Sequence, residues 1–240
     1  IKSDGAAAIS TALTNLGLVD SSNRVGRMIG KPQVVTSTQE ITPPAGAKTV
    51  RVRGCGGGAS GGSTPATNSS SVAIASAGGA GAYAESVFDV TFSSIVVTIG
   101  AGGVSAGPGA NAGRSGGASY FGSLLSIPGG NPGVGGTLSS SNTIFTAIAG
   151  QTANPTGGNV ISIPGGGSVQ PFTYDKTNFF AMSGANSPIG VGGKTYPTGG
   201  NGNRGSGYGS GGGAAVGGLN MSAFSGGDGA DGVFILEWYA

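Results

Sequence analysis

The chain has 240 residues, of which 53 are glycine and only 8% are charged, with a formal net charge of +2. Having no histidine and one cysteine, it cannot close an internal disulfide, form a Cys/His zinc site or assemble a Ser-His-Asp or Cys-His catalytic set. It has no run of about 20 apolar residues of the kind a membrane helix needs, and no cluster of Lys and Arg to grip nucleic acid.

The first elements in chain order are a helix and two strands. Asp4 can cap a short helix whose apolar face is Ile9, Leu13 and Leu16, with Gly17 as its stop. One such face is not stable alone at this length, so it must pack on another surface, a symmetry copy being one candidate. Residues 33–42, rich in Val and Thr and ended by Pro43-Pro44-Ala45-Gly46, read as a strand. Residues 48–53 alternate, with Val50 and Val52 inward and Arg51 and Arg53 outward.

Further strands are expected at 82–92, 95–99, 118–121, 143–148, 160–163 and 233–239. The last sets Val233, Ile235, Glu237 and Tyr239 on one face and Phe234, Leu236 and Trp238 on the other. Apolar groups on both sides place it centrally in a sheet or interface. Cys55, after a strand-like run and among glycines, reads as a buried structural thiol.

Glycine tracts separate these strands, at 56–62, 78–81, 100–117, 129–136, 165–167, 190–193, 199–218 and 226–232. Glycine makes up about 22% of the chain (53 of 240) against about 7% in ordinary proteins, so folding must offset a large ordering entropy. Disorder normally couples low hydropathy to high net charge. Here the mean hydropathy is positive, and 18 Val and 14 Ile against 8 Leu favour pleated strands.

The tracts lack collagen's third-residue period. Two readings are open: flexible loops, which would be entropically expensive in this number, or polyproline-II-like rods that stack closely and satisfy each other's amides. The rods are expected for the longest tracts.

Several motifs fail on inspection. The pattern G-x-G-x-x-G starts at Gly56, Gly200, Gly207 and Gly227, but no helix follows any of them as a dinucleotide site requires. Gly193-Lys194-Thr195 resembles the end of a phosphate-binding loop, yet Pro188 stands where its first glycine should be. Asp228 and Asp231 flank a glycine turn and are too few for a calcium cage, so turn formation is expected of them. Glycan hydrolysis needs two apposed carboxylates. Arg114 is the only charged residue between Asp89 and Asp175, so nothing in the sequence supports such a pair.

One region reads as a binding surface. Residues 168–197 carry Phe172, Tyr174, Phe179, Phe180 and Tyr196 among Asp175, Lys176, Asn178, Asn186 and Lys194, and the tract 199–213 adds Arg204 and Tyr208. Aromatic faces beside polar groups suit stacking on sugar rings or insertion into a receptor's loops. The same aromatics could instead fill a satellite core beneath a long loop. Tyr174 and Tyr196 lean towards exposure. The candidate receptor-binding residues are therefore Phe172, Tyr174, Asn178, Phe179, Phe180, Tyr196, Arg204 and Tyr208, and no catalytic residue, metal site or cofactor is expected.

Several stretches in succession resemble the glycine-rich C-terminal regions of tail fibre proteins from temperate, Mu-like coliphages. Ala12-Leu13-Thr14-Asn15-Leu16-Gly17-Leu18 resembles a motif that recurs before the fibre tip. Pro44-Ala45-Gly46 and Thr49-Val50-Arg51-Val52-Arg53-Gly54-Cys55-Gly56-Gly57-Gly58 are similar to the strand that opens the glycine-rich domain. Gly81-Ala82-Tyr83-Ala84-Glu85, Val97-Thr98-Ile99-Gly100-Ala101-Gly102-Gly103 and Gly116-Gly117-Ala118-Ser119-Tyr120-Phe121-Gly122 continue it. Gly229-Ala230-Asp231-Gly232-Val233-Phe234-Ile235-Leu236-Glu237-Trp238 resembles its closing strand.

The resemblance implies a homotrimer on the virion, made in the host cytoplasm, that binds lipopolysaccharide or an outer-membrane protein and often requires an assembly chaperone. The expectation is an all-β, non-enzymatic adhesin with polyglycine-II-like segments, a short N-terminal helix and an intertwined trimer. Residues 1–40 would end the fibre shaft and 41–240 would form the tip. The opening at Ile1, without a secretory signal, reads as part of a longer protein. The alternatives are a glycan-degrading spike and a purely structural glycine-rich protein.

Overall fold

The computed structural model describes residues 28–240 together with Gly5 and Ala12. Apart from those two residues, the expected N-terminal helix lies outside the described residues. The fold is all-β, with antiparallel sheets that do not close into a barrel. In chain order the strands are β1 (Gln33–Val35), β2 (Gln39–Ile41), β3 (Thr49–Cys55), β4 (Ala73–Ile74), β5 (Tyr83–Asp89), β6 (Ile95–Thr98), β7 (Ser119–Phe121), β8 (Leu125–Ile127), β9 (Ile144–Phe145), β10 (Ile161–Ile163), β11 (Phe172–Thr173), β12 (Phe179–Phe180), β13 (Gly190–Val191), β14 (Ser206–Gly207), β15 (Val216–Gly217) and β16 (Val233–Tyr239).

Two sheets pack around the main core. One has the order β1-β16-β3-β5-β10 and the other β2-β6-β7-β8. Alternation along β3 and β16 sends Val50, Val52, Phe234, Leu236 and Trp238 inward, where they meet Ile41, Ile95, Val97, Phe121, Leu125 and Ile127 of the second sheet. As its two-sided pattern required, β16 is central, paired with β1 on one side and β3 on the other. The expected single strand at 33–42 is instead two strands, divided at residues 36–38, which pair into different sheets. The segment thus turns the corner of the sandwich.

The glycine tracts are rods packed side by side. Residues 56–64 donate their amides in rotation to three neighbours. Gly56, Ala59 and Gly62 donate to Ala82, Gly79 and Ser76; Gly57, Ser60 and Ser63 donate to Gly117, Arg114 and Asn111; Gly58, Gly61 and Thr64 donate to Ala230, Gly227 and Phe224. Their carbonyls accept from three further segments, Gly57 and Ser60 from Gly130 and Gly133, Ala59 and Gly62 from Gly212 and Ala215, and Gly58 from Gly103.

A partner that recurs every third residue marks a threefold extended helix, which makes no internal hydrogen bonds and must find its partners outside. The central rod is therefore ringed by six others. The three it donates to run antiparallel to it and the three it accepts from run parallel. Glycine is required where backbones meet: a Cβ on Gly57, Gly61 or Gly116 would fall inside van der Waals contact with a neighbouring carbonyl.

Side-chain oxygens complete the lattice where carbonyls run out. Asp231 Oδ1 accepts from Gly102 N at 2.7 Å and Asp228 Oδ1 from Ser105 N at 2.6 Å. The two aspartates are three residues apart, as are the amides they serve. They join neighbouring rods rather than shaping the turn expected of them. Ser119, Ser76 and Thr195 act in the same way, accepting from Gly100, Val134 and Ala214.

This register gives the molecule two ends. The segment 49–63 runs unbroken from β3 into the central rod and spans roughly 45–50 Å at the rise of strand and rod. At its start, Met28 bridges Tyr239 and Ile29 N donates to Trp238 O. The described chain therefore enters and leaves at the sheet end. At the other end lie Thr64, β4 and β15, and the loops between rods.

Candidate functional site

The candidate site is a small three-stranded sheet at the end away from the chain entry. Its order is β12-β11-β9, and Thr146 Oγ1 anchors it by donating to Ile74 O at 2.6 Å. The register places Phe172 opposite both Phe145 and Phe180, so three phenylalanines form a row across one face. Phe172 and Phe180 are stacked with centroids 4.6 Å apart and planes 8° from parallel, and Phe145 and Phe172 are 6.1 Å apart at 27°. Tyr174, two residues along from Phe172, extends the row with its ring 5.7 Å from Phe180. Phe145, Tyr174 and Phe180 are 64%, 55% and 43% exposed, a concentration of aromatic surface that a folded protein does not normally leave without purpose.

The opposite face of this sheet is core. Phe179, paired with Thr173, is 6% exposed and packs with Val72, Ile74 and Val216. Phe179 is therefore a support for the row, because adjacent strand residues point to opposite faces.

A carboxylate sets the hairpin between β11 and β12. Asp175 Oδ1 accepts from Thr177 N (2.8 Å), Thr177 Oγ1 (2.9 Å) and Asn178 N (2.5 Å), and Oδ2 accepts from Asn178 Nδ2 (2.7 Å). The Asn178 amide and these neighbouring donors hold the Asp175 carboxyl down at about 2. Asn178 thus works within the turn, fixing the loop that carries the aromatics. Lys176 Nζ ties the same tip to Ser70 O at 2.8 Å. On the buried side of the hairpin, Lys176, Thr177, Phe179, Thr198, Leu219 and Met221 line a shallow cleft of about 210 Å³.

The remaining candidate residues divide between the two ends. Tyr196 follows Thr195, which is held at the level of Ala214 near the loop end. Its ring lies under Lys194 Nζ at 5.3 Å, and Asn203 Nδ2 is 3.4 Å from its hydroxyl. Arg204 pairs with Asp231 at 3.4 Å, in the half of the lattice nearer the sheets. Tyr208 precedes Gly209, whose carbonyl accepts from Gly81 N beside Cys55, so it belongs to the sheet end. The structure thus joins Phe172, Tyr174, Asn178 and Phe180 in one hairpin, adds Phe145 to their row, and sets Arg204 and Tyr208 apart.

The charged residues of the large sheet form a separate network. Arg51 bridges Glu85 at 2.6 Å and Glu237 at 3.8 Å, and Arg53 contacts Glu237 at 2.7 Å. Burial works against the charged Glu85 carboxyl, but hydrogen bonds from Arg51 and Tyr83 and the two guanidiniums outweigh it and keep its pKa below the ordinary range. Cys55 is buried, and desolvation pushes its thiol up to about 12, as befits a structural thiol. Among the described residues no three His, Cys, Asp or Glu side chains converge on a metal-sized site.

These features define a class: an all-β scaffold in which a two-sheet sandwich continues into a lattice of glycine rods. Residues 33–239 match the profile of the glycine-rich domain family, and the chain belongs to that family. A comparison with curated proteins finds no match.

Proposed function

We propose that the chain is the receptor-binding tip of a bacteriophage tail fibre, which attaches the virion to a bacterial surface by binding lipopolysaccharide or an outer-membrane protein without chemical turnover. The observation that carries this reading is the placement of the row Phe145, Phe172, Phe180 and Tyr174 at the end opposite Met28 and Tyr239. An attachment module needs its tether at one end and its contact surface at the other. It also needs that surface on a rigid mount, because ordering a flexible loop on binding costs affinity. The rod lattice supplies the mount.

The tip would act as a homotrimer, helped into shape by an assembly chaperone, with three equivalent weak sites combining through avidity. The resemblance of the sequence to coliphage fibre tips points the same way.

The test is adsorption of the purified chain to a panel of enteric bacteria. Tyr174→Ala and Phe180→Ala are expected to reduce cell binding by about tenfold each, the effect of losing an interface anchor, with little change in melting temperature. Failure of the chain to bind any strain or to block infection would leave a scaffold without a receptor. Release of oligosaccharide from host glycans would replace attachment with hydrolysis.

A further inference from the structure

The stacking of the row decides which part of each ring a partner can touch. At 4.6 Å and 8°, Phe172 and Phe180 cover each other's faces, and Phe145 covers the other side of Phe172. Tyr174, from the same side of the hairpin as Phe172, leans on Phe180 at 37° without stacking on it. What the row offers outward is therefore mainly a strip of ring rims, with the outer face of Phe145 left to solvent at its end. Pyranose rings bind aromatics by laying a C–H face on a ring face, and here the faces between neighbouring rings are occupied. Ring rims carry the positive edge of the aromatic quadrupole, which suits an approaching aromatic ring in edge-to-face geometry or an apolar side chain.

The surroundings of the row are uncharged. No Asp, Glu, Lys or Arg occurs between Arg114 and Asp175, the span that supplies Phe145, Phe172 and Tyr174. The β9–β11 register continues through Thr146 N to Pro171 O and Ser168 N to Ala149 O. It sets exposed Ile148 opposite exposed Val169 and lengthens the apolar strip. At the hairpin tip, Asp175 is held by its own turn and Lys176 Nζ by Ser70 O. Phosphate and carboxylate groups of an anionic glycan require cations or aimed donors, and the strip presents neither.

Resting on the attachment reading, we infer that the strip takes an uncharged, apolar or aromatic loop of a receptor protein in preference to an anionic glycan such as lipopolysaccharide. The experiment uses the whole chain and a strain to which it adsorbs. Binding is measured to phosphatidylcholine vesicles carrying that strain's outer-membrane proteins freed of lipopolysaccharide, and to vesicles of the same lipid carrying its lipopolysaccharide alone. The expected result is binding to the first vesicles and not the second, reduced about tenfold by Phe145→Ser or Phe180→Ser, both exposed positions whose variants keep the parent melting temperature.

Binding to the lipopolysaccharide vesicles alone overturns the inference and leaves attachment standing. Binding to protein vesicles that ignores both substitutions also overturns it, by moving the contact elsewhere. A chain that adsorbs to no strain at all sinks the attachment reading itself.

Discussion

The α-carbon of Gly58 lies against the carbonyl oxygen of Ser210, so close that any Cβ at position 58 would fall inside van der Waals contact with it. Backbone on both sides leaves nothing flexible to give way. Gly58→Ala is therefore expected to destabilise the fold by about 3 kcal/mol or more, or to prevent folding. Gly166, by contrast, has nothing within 4 Å of a Cβ position, and Gly166→Ala should be neutral or stabilise by about 0.5 kcal/mol through the unfolded chain. Denaturant unfolding of the two variants checks the contrast.

The lattice makes a prediction about amide exchange. Gly57, Gly58, Ala59, Ser60 and Gly61 belong to no strand, yet each is buried and each amide is bonded to a neighbouring rod. Hydrogen exchange at these positions should be as slow as in β3 and β16, approaching the rate set by global unfolding. Exchange at the rate of an unstructured peptide would contradict the rod packing.

Glu85 gives a pH signature. Its carboxyl is held below the ordinary range in the folded chain, so its contribution is fully present above the unfolded value, near pH 4.5, and is lost as pH falls through the folded value. Glu85→Gln is expected to cost about 1–2 kcal/mol at neutral pH, discounted for the exposure of Arg51. The difference from the parent should shrink on acidification below pH 4.5. Melting curves of both proteins across the acid range would measure it.

The Asp175 carboxyl is also depressed, from 3.8 to about 2, by the Asn178 side chain and the neighbouring amide and hydroxyl donors. Because the folded value is the depressed one, the turn keeps its hydrogen bonds as pH drops past 3.8 and loses them only as pH falls through about 2. Amide signals of Thr177 and Asn178 should report that midpoint. Asp175→Ala is expected to loosen the hairpin while leaving the core strands protected from exchange.

Phe179 and Phe180 are neighbours with opposite fates. Phe179→Ala, in the core with Val72 and Val216, should cost about 3–5 kcal/mol, whereas Phe180→Ala should leave stability within about 1 kcal/mol. A thermal melt of the pair separates a supporting ring from a contact ring.

The sequence revealed what local chemistry determines. Strict alternation announced β3 and β16, and the apolar groups on both faces of β16 announced its central position. The absence of a collagen period, together with the cost of so many loops, pointed to stacked rods.

Long-range pairing determines the rest, and the sequence does not display it. A two-residue strand such as β11 or β12 has no periodicity to read, so nothing local said that Phe179 turns inward and Phe180 outward. Phe145 was placed in a strand but not in the site, because only the β9–β11 register brings it beside Phe172. Arg204 and Tyr208 follow Tyr196 closely in sequence, yet the intervening rods carry them back towards the sheets.

Residues 56–64 take their partners in turn from segments as remote as 76–82 and 224–230, so the central rod cannot be finished piecemeal. Strands with nearby partners can zip early, but this rod waits for almost the entire chain to arrive, the topology that slows folding most. During that wait its amides are bonded only to water and the growing molecule is vulnerable to wrong pairings. Once the last segment is in place, no single rod can leave without stranding the donors of several others. Slow entry and an equally difficult exit would make the folded chain persist by kinetic rather than thermodynamic means.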